Sequence, residues 1–127
     1  MSLNITILGT KHTPHIEFDA DHQRLSIVGD SYPENAGDTY FPVVEKLDVY
    51  FNDPGQFLRV ELTIPFANTS SSKVLTDLFT KFQGLCDQGH KIELTWFYPY
   101  GDYDCRENGE LLLEDVEFPY KMVELSE

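Results

Sequence analysis

Asn68-Thr69-Ser70-Ser71-Ser72 sets four hydroxyl side chains in succession, at the point where an alternating apolar run gives way to a helical one. The run before them, Leu58, Val60, Leu62, Ile64 and Phe66, has the two-residue period of a strand. The run after them, Val74, Leu75, Leu78, Phe79, Phe82, Leu85 and Cys86, has the three-to-four spacing of a helix. The hydroxyls therefore stand at a strand-to-helix junction. A helix N-terminus presents unpaired N–H groups and the positive end of the macrodipole. It can take a Ser or Thr oxygen as its cap, hold an anion, or carry a covalent phosphate. A phosphate would add about −1.5 to −2 charges at a place that tolerates them.

Other residues carry weaker chemistry. His12 and His15 are three apart, but they flank Pro14 in irregular chain and no cysteine or carboxylate cluster joins them, so they read as surface histidines and no metal is expected. Asp102-Tyr103-Asp104 starts like a calcium loop, yet Glu107 stands where the template needs Gly and Leu113 where it needs Glu. Glycine-rich phosphate cradles, nucleophile elbows and HExxH motifs are missing from the sequence, and no cofactor is expected. An acid–base enzyme using Asp102 and Glu107 is a minor reading that needs a cleft. Tyr98, Tyr100 and Tyr103, beside Trp96 and Phe97, read as core and rim packing, with an interface surface as the alternative.

The elements that must hold the hydroxyls follow from periodicity. After a loose N-terminal segment, Ile16–Ala20 and Arg24–Val28 alternate as a hairpin around Asp21-His22-Gln23. Gly29 to Gly37 is a loop. A helix starts with Asp38 or Thr39 as N-cap, takes Pro42 in its first turn and runs to about Asn52, with Phe41, Val44, Leu47 and Phe51 on one face. A strand over Phe57–Phe66, the hydroxyl-opened helix to about Gln88 with Gly89 as C′, and a strand over Lys91–Tyr98 come next. A helix over Tyr103–Glu114 and a strand over Glu117–Leu125 complete the pattern. Because Arg59, Glu61 and Thr63, like Lys91, Glu93 and Thr95, alternate with the apolar positions, one sheet face carries no helices. The expected fold is α/β: a mixed four- or five-stranded sheet with two or three helices packed on one face.

Bulk properties bound the function. The chain has 127 residues and is expected to form one domain with a core that needs neither disulfides nor metal. Its apolar runs fall far short of the ~20 residues of a membrane span. The N-terminus lacks the features of a secretory signal, and Cys86 and Cys105 form no paired framework, which points to the cytoplasm. With 22 acidic against 9 basic residues, net −13, nucleic acid and anionic membrane are not expected partners. Residues 101–127 hold 9 of the acidic and 2 of the basic side chains. That region is either a solvated acidic face or a docking surface for a basic partner.

Element order resembles the STAS domain of anti-sigma-factor antagonists, whose phosphorylated serine opens the equivalent helix. More closely, the chain resembles the SiaC-type bacterial regulatory phosphoproteins. The residues that carry this are Thr13-Pro14, Gly29-Asp30-Ser31-Tyr32-Pro33-Glu34-Asn35, Asn68-Thr69-Ser70-Ser71 and Trp96, in order and spanning nearly the whole chain. Ser72 extends the hydroxyl run by one. The resemblance implies a non-enzymatic partner switch in which Thr69 is the phosphoacceptor, with a protein kinase and a metal-dependent phosphatase of the two-C type acting on it. The unmodified protein would bind and activate a diguanylate cyclase, and so act on cyclic di-GMP and biofilm formation. Asn68, Ser70 and Ser71, with Tyr32, Glu34 and Asn35 of the other segment, are the implied partner-binding residues. The alternative is an anti-sigma-factor antagonist or other STAS-like adaptor that controls transcription.

Overall fold

Alternation along Ile16/Phe18, Leu25/Ile27 and Leu58/Val60/Leu62 buries every one of these side chains, while the residues between them face the other way. The computed structural model describes residues 3–127. Its elements in chain order are β1 (Ile5–Ile7), β2 (His15–Asp19), β3 (Arg24–Val28), α1 (Ala36–Tyr50), β4 (Phe57–Thr63), α2 (Thr69–Asp87), β5 (Lys91–Tyr98), α3 (Tyr103–Leu112) and β6 (Tyr120–Glu124).

The strands lie side by side in the order in which the chain makes them, as one six-stranded sheet. β1, β2 and β3 pair antiparallel, and β3 to β6 pair parallel. Each parallel step is made through a helix. Right-handed crossovers that all advance in one direction place every helix on the same face. The other face carries Glu17, Arg24, Arg59, Glu61 and Glu93, with Arg24 paired to Glu61 and lying 3.9 Å from Glu17. The α/β class with one open face is as the alternation predicts. Thr95 shares the open face by register, opposite Glu61 and Lys121, yet its neighbours bury it.

Three expectations need correction. The sheet has six strands rather than four or five, because Ile5–Ile7 pairs with Ile16–Phe18. Three residues are too few to show a period, so the segment reads as loose chain. α1 starts earlier than expected: Asn35 is the N-cap, its Oδ1 accepting the Asp38 N–H at 3.3 Å. Pro42 therefore falls in the second turn, where its missing N–H removes the usual i+4 donor to the Asp38 carbonyl. The inner face of α1 is also different, comprising Ala36, Tyr40, Val43, Leu47 and Tyr50, while Phe41 points outward, 58% exposed. α2 ends as expected, with Gln88 as C-cap and Gly89 at φ +100° in the left-handed C′ position.

Trp96 of β5 is the largest fully buried side chain, and α3 is fitted to it. Its indole Nε1 donates to the Cys105 carbonyl at 3.1 Å. A Cβ at Gly109 would stand 2.5 Å from the indole ring, so only glycine lets α3 lie this close. Gly109→Ala gains helix propensity of about 1 kcal/mol. It is nonetheless expected to destabilise the protein by about 1–3 kcal/mol through overpacking, measured by urea unfolding.

Candidate functional site

The parallel neighbours β3 and β4 end at one edge of the sheet and send their loops into α1 and α2. Those loops stay paired beyond the strands. The Gly29 N–H donates to the Thr63 carbonyl at 2.8 Å, Ser31 N–H to Phe66 O at 2.9 Å, and Asn68 N–H to Ser31 O at 3.0 Å. Ser31 and Ala67 thus form a parallel bridge that brings the Ser-Tyr-Pro-Glu-Asn and Asn-Thr-Ser-Ser segments together.

Each polar side chain of the cluster then takes a different task. Asn68 is the N-cap of α2: its Oδ1 accepts the Ser71 N–H at 2.9 Å while its Nδ2 donates to the Pro33 carbonyl at 2.8 Å. Ser70, half-buried, accepts the Ala36 N–H at 2.9 Å, so a hydroxyl of α2 satisfies the first amide of α1. Ser71 is fully buried, with its Oγ 3.1 Å from the Ser31 carbonyl and 2.7 Å from the Ser31 Oγ. Since a hydroxyl has one proton, donation from Ser71 to that carbonyl makes Ser31 the donor to Ser71 and Tyr40 the donor to Ser31, at 3.0 Å. Burial pushes the Tyr40 phenol above its ordinary pKa, which keeps that donor proton in place. Ser72 is half-buried and accepts the Thr76 hydroxyl on its carbonyl at 2.9 Å. Thr69 is exposed, and among the described residues nothing bonds its hydroxyl.

The loops that meet at the α2 N-terminus carry exposed aromatic groups. Tyr32 and Phe66, 42% and 43% exposed, stack at 4.5 Å and 13°. His12 meets Tyr32 edge-on, and its carbonyl accepts the Tyr32 N–H at 2.6 Å. Glu34 and Asn35 are exposed beside them in sequence. The first turn of α2 holds no acidic residue, whereas α1 has Asp38 and α3 has Asp104 there. Of the residues the resemblance implies, Thr69, Tyr32, Glu34 and Asn35 reach solvent, Asn68 and Ser70 do so partly, and Ser71 lies inside.

The roles of two residues in this arrangement escape sequence reasoning. Ser31 carries the buried network, but nothing distinguishes it locally from a loop serine. Phe66 continues the alternation of β4 on paper, whereas β4 ends at Thr63 and the Ile64–Ala67 segment turns Phe66 outward. The minor chemistries find little support. Asp102 caps α3 by accepting the Cys105 N–H at 3.0 Å, and Glu107 lies exposed on that helix. Among the described residues no group of three or more His, Cys, Asp or Glu could hold a metal, and no helix is long and apolar enough to cross a membrane. Burial pushes the Cys105 thiol up to about 11, which keeps it an unreactive core group. Tyr98 is buried under Arg106, while Tyr100 and Tyr103 remain exposed.

The fold is a one-sided α/β sheet whose hydroxyl, amide and aromatic groups meet at the N-termini of α1 and α2, and the family it matches is one of regulatory proteins. The chain belongs to the SiaC family of regulatory phosphoproteins, whose family model matches residues 7–125. Membership assigns it a regulatory and not a catalytic role. An uncharacterized protein of Pseudomonas aeruginosa strain UCBPP-PA14 is 32% identical over 117 residues, 92% of this chain and 93% of that one. Among solved structures, SiaC of Pseudomonas aeruginosa is similar with a TM-score of 0.89 at 31% identity, covering 98% of this chain and 100% of the other. A complex of the diguanylate cyclase SiaD with its activator SiaC, also from Pseudomonas aeruginosa, matches with a TM-score of 0.90 at 30% identity, over 95% and 99% of the two chains.

The hydroxyls should separate cleanly by mutation. Ser31→Ala and Ser71→Ala each leave a buried polar partner unsatisfied and are expected to cost about 1–3 kcal/mol. Thr69→Ala, at an exposed and unbonded position, should stay within about 0.5 kcal/mol of the parent. Urea titration of the three variants checks the order.

Proposed function

We propose that the chain works as a single SiaC-type unit over residues 1–127, a cytoplasmic partner switch in cyclic di-GMP signalling. Unmodified, it binds and activates a diguanylate cyclase. Phosphorylation of Thr69 by a protein kinase releases the cyclase, and a two-C-type phosphatase restores binding, so that the cycle governs biofilm formation. Family membership and the likeness to the activator in the SiaD complex support the cyclase as partner.

The observation that carries Thr69 as acceptor is its isolation. A kinase must reach a hydroxyl and free its lone pair, and among the four only Thr69 is both exposed and unbonded among the described residues. Modifying Ser71 would break the Tyr40–Ser31–Ser71 chain, and modifying Ser70 would uncap Ala36. At the first position of α2 a phosphate meets the positive helix end, worth about 0.3–1 kcal/mol in favour of the modified fold. A partner seated on Tyr32, Phe66 and Thr69 would have to desolvate that dianion, at several kcal/mol unless a cation received it. Asn68, Ser70 and Ser71 then act by holding the loops in place, while Tyr32, Glu34 and Asn35 touch the partner.

Thr69→Asp is expected to weaken cyclase binding at least tenfold, about 1.4 kcal/mol. Thr69→Ala should bind within about twofold of the parent, the ±0.5 kcal/mol range of a surface substitution, and take up no phosphate from the kinase. Titration calorimetry and peptide mass spectrometry read these out. Equal affinity for all three proteins, or phosphate found only on another residue, sinks the reading.

A further inference from the structure

The wall of α2 that begins at Thr69 does not stop there. Thr69, Ser72, Thr76, Thr80, Gln83 and Asp87 recur at three- and four-residue intervals and so share one face of the helix. That face borders α3 and the segment after it. A cleft of about 180 Å³ at Ser72, Trp96 and Asn108 and a larger one of about 540 Å³ farther along both have Leu111 and Leu112 in their lining, so the two adjoin there as a groove along α2. Phe79, Leu112 and Val116 give the groove apolar contact, and Leu111 stands over it 67% exposed. Gly84 widens it, since nothing lies within 4 Å of where its Cβ would be.

The rim has one sign. Asp87, Glu114 and Asp115 line the larger cleft, and Glu107 joins Glu114 on the outer side of Leu111. None of these four carboxylates is in an ion pair among the described residues; Glu110, which also lines the outer side of Leu111, is paired to Arg106 at 2.8 Å, and no Lys or Arg lines the groove itself. An apolar floor between two helices with a mostly unpaired acidic rim is the complement of an amphipathic helix whose apolar stripe is flanked by Lys and Arg.

We infer that this groove receives a basic amphipathic helix of the protein partner, laid along α2 with one end over Thr69. This rests on the partner-switch reading above and names the surface and the chemistry of that partner. The switch and the groove act at opposite ends. Thr69 and Asp87 are separated by about 27 Å of helix at 1.5 Å per residue, well beyond a screening length of about 8 Å at physiological ionic strength. A phosphate on Thr69 therefore blocks the near end by desolvation while adding little attraction for the basic residues at the far end.

The test measures affinity of the full chain for the cyclase with three variants: Leu111→Glu, the pair Glu114→Lys/Asp115→Lys, and Thr69→Asp. All change exposed residues, and circular dichroism with a urea midpoint verifies folding. Leu111→Glu should bind at least tenfold more weakly. The lysine pair should lose affinity and flatten the dependence of binding on salt. If both groove variants bind within twofold of the parent while Thr69→Asp loses binding, the groove assignment is overturned and the partner switch stands. If Thr69→Asp also binds as the parent does, the switch fails with it. A self-association that Leu111→Glu abolishes, seen by sedimentation, would assign the groove to a second copy of the chain and equally overturn the inference.

Discussion

The buried hydroxyl pair of Ser31 and Ser71 is the constraint on which the site depends. Ser31 lies in a loop and Ser71 in the first turn of α2, forty positions apart, yet each is the other's partner. An unpaired buried hydroxyl costs about 1–3 kcal/mol, so separating the Ser31 loop from the α2 terminus carries that penalty. Tyr40 adds α1 to the same network. Once Ser31 is fixed by Ser71, Tyr32 must point outward onto Phe66, and once Ser71 is fixed inward, Thr69 two residues before it must point out. The exposure of Thr69 follows from the burial of its neighbour.

Chain-order topology explains why this happens at one edge. Parallel strands send every following loop to the same end of the sheet, and the helices that begin there aim their N-termini at the same region. Two helix ends, those of α1 and α2, are thus brought within hydrogen-bond reach, and Ser70 of one caps Ala36 of the other. An acidic residue at the start of α2 would compete for the positive helix end, and that turn has none.

Regular elements of this fold are legible in the sequence because their residues repeat. β4, α2 and β5 carry enough periods that their faces are read correctly, and Gly89 marks the end of α2 by backbone need alone. β1 is illegible at three residues, and the start of α1 is misplaced because Asp38 and Asn35 are both good caps and only the folded geometry chooses between them. Phe41 sits a single residue from the buried Tyr40, and both are aromatic. Within the site, the hydroxyl cluster is visible as composition, but the division of tasks among its members is not. Which serine is buried depends on Ser31 of a distant loop, and no local pattern contains that contact.

Net charge limits how such a switch can act. The chain carries −13 before any modification, and a phosphate adds about −2. At a distance that is a small change in an already negative field, and it is screened within about 8 Å at physiological ionic strength. Phosphorylation of so acidic a protein cannot alter partner choice by long-range repulsion. It must act in direct contact, where the dianion displaces an apolar neighbour or must be stripped of water, and the stacked Tyr32–Phe66 pair beside the α2 terminus supplies such a neighbour. In the proposed arrangement, the acidic rim along α3 would hold a basic partner continuously while the terminus alone decides whether the contact closes.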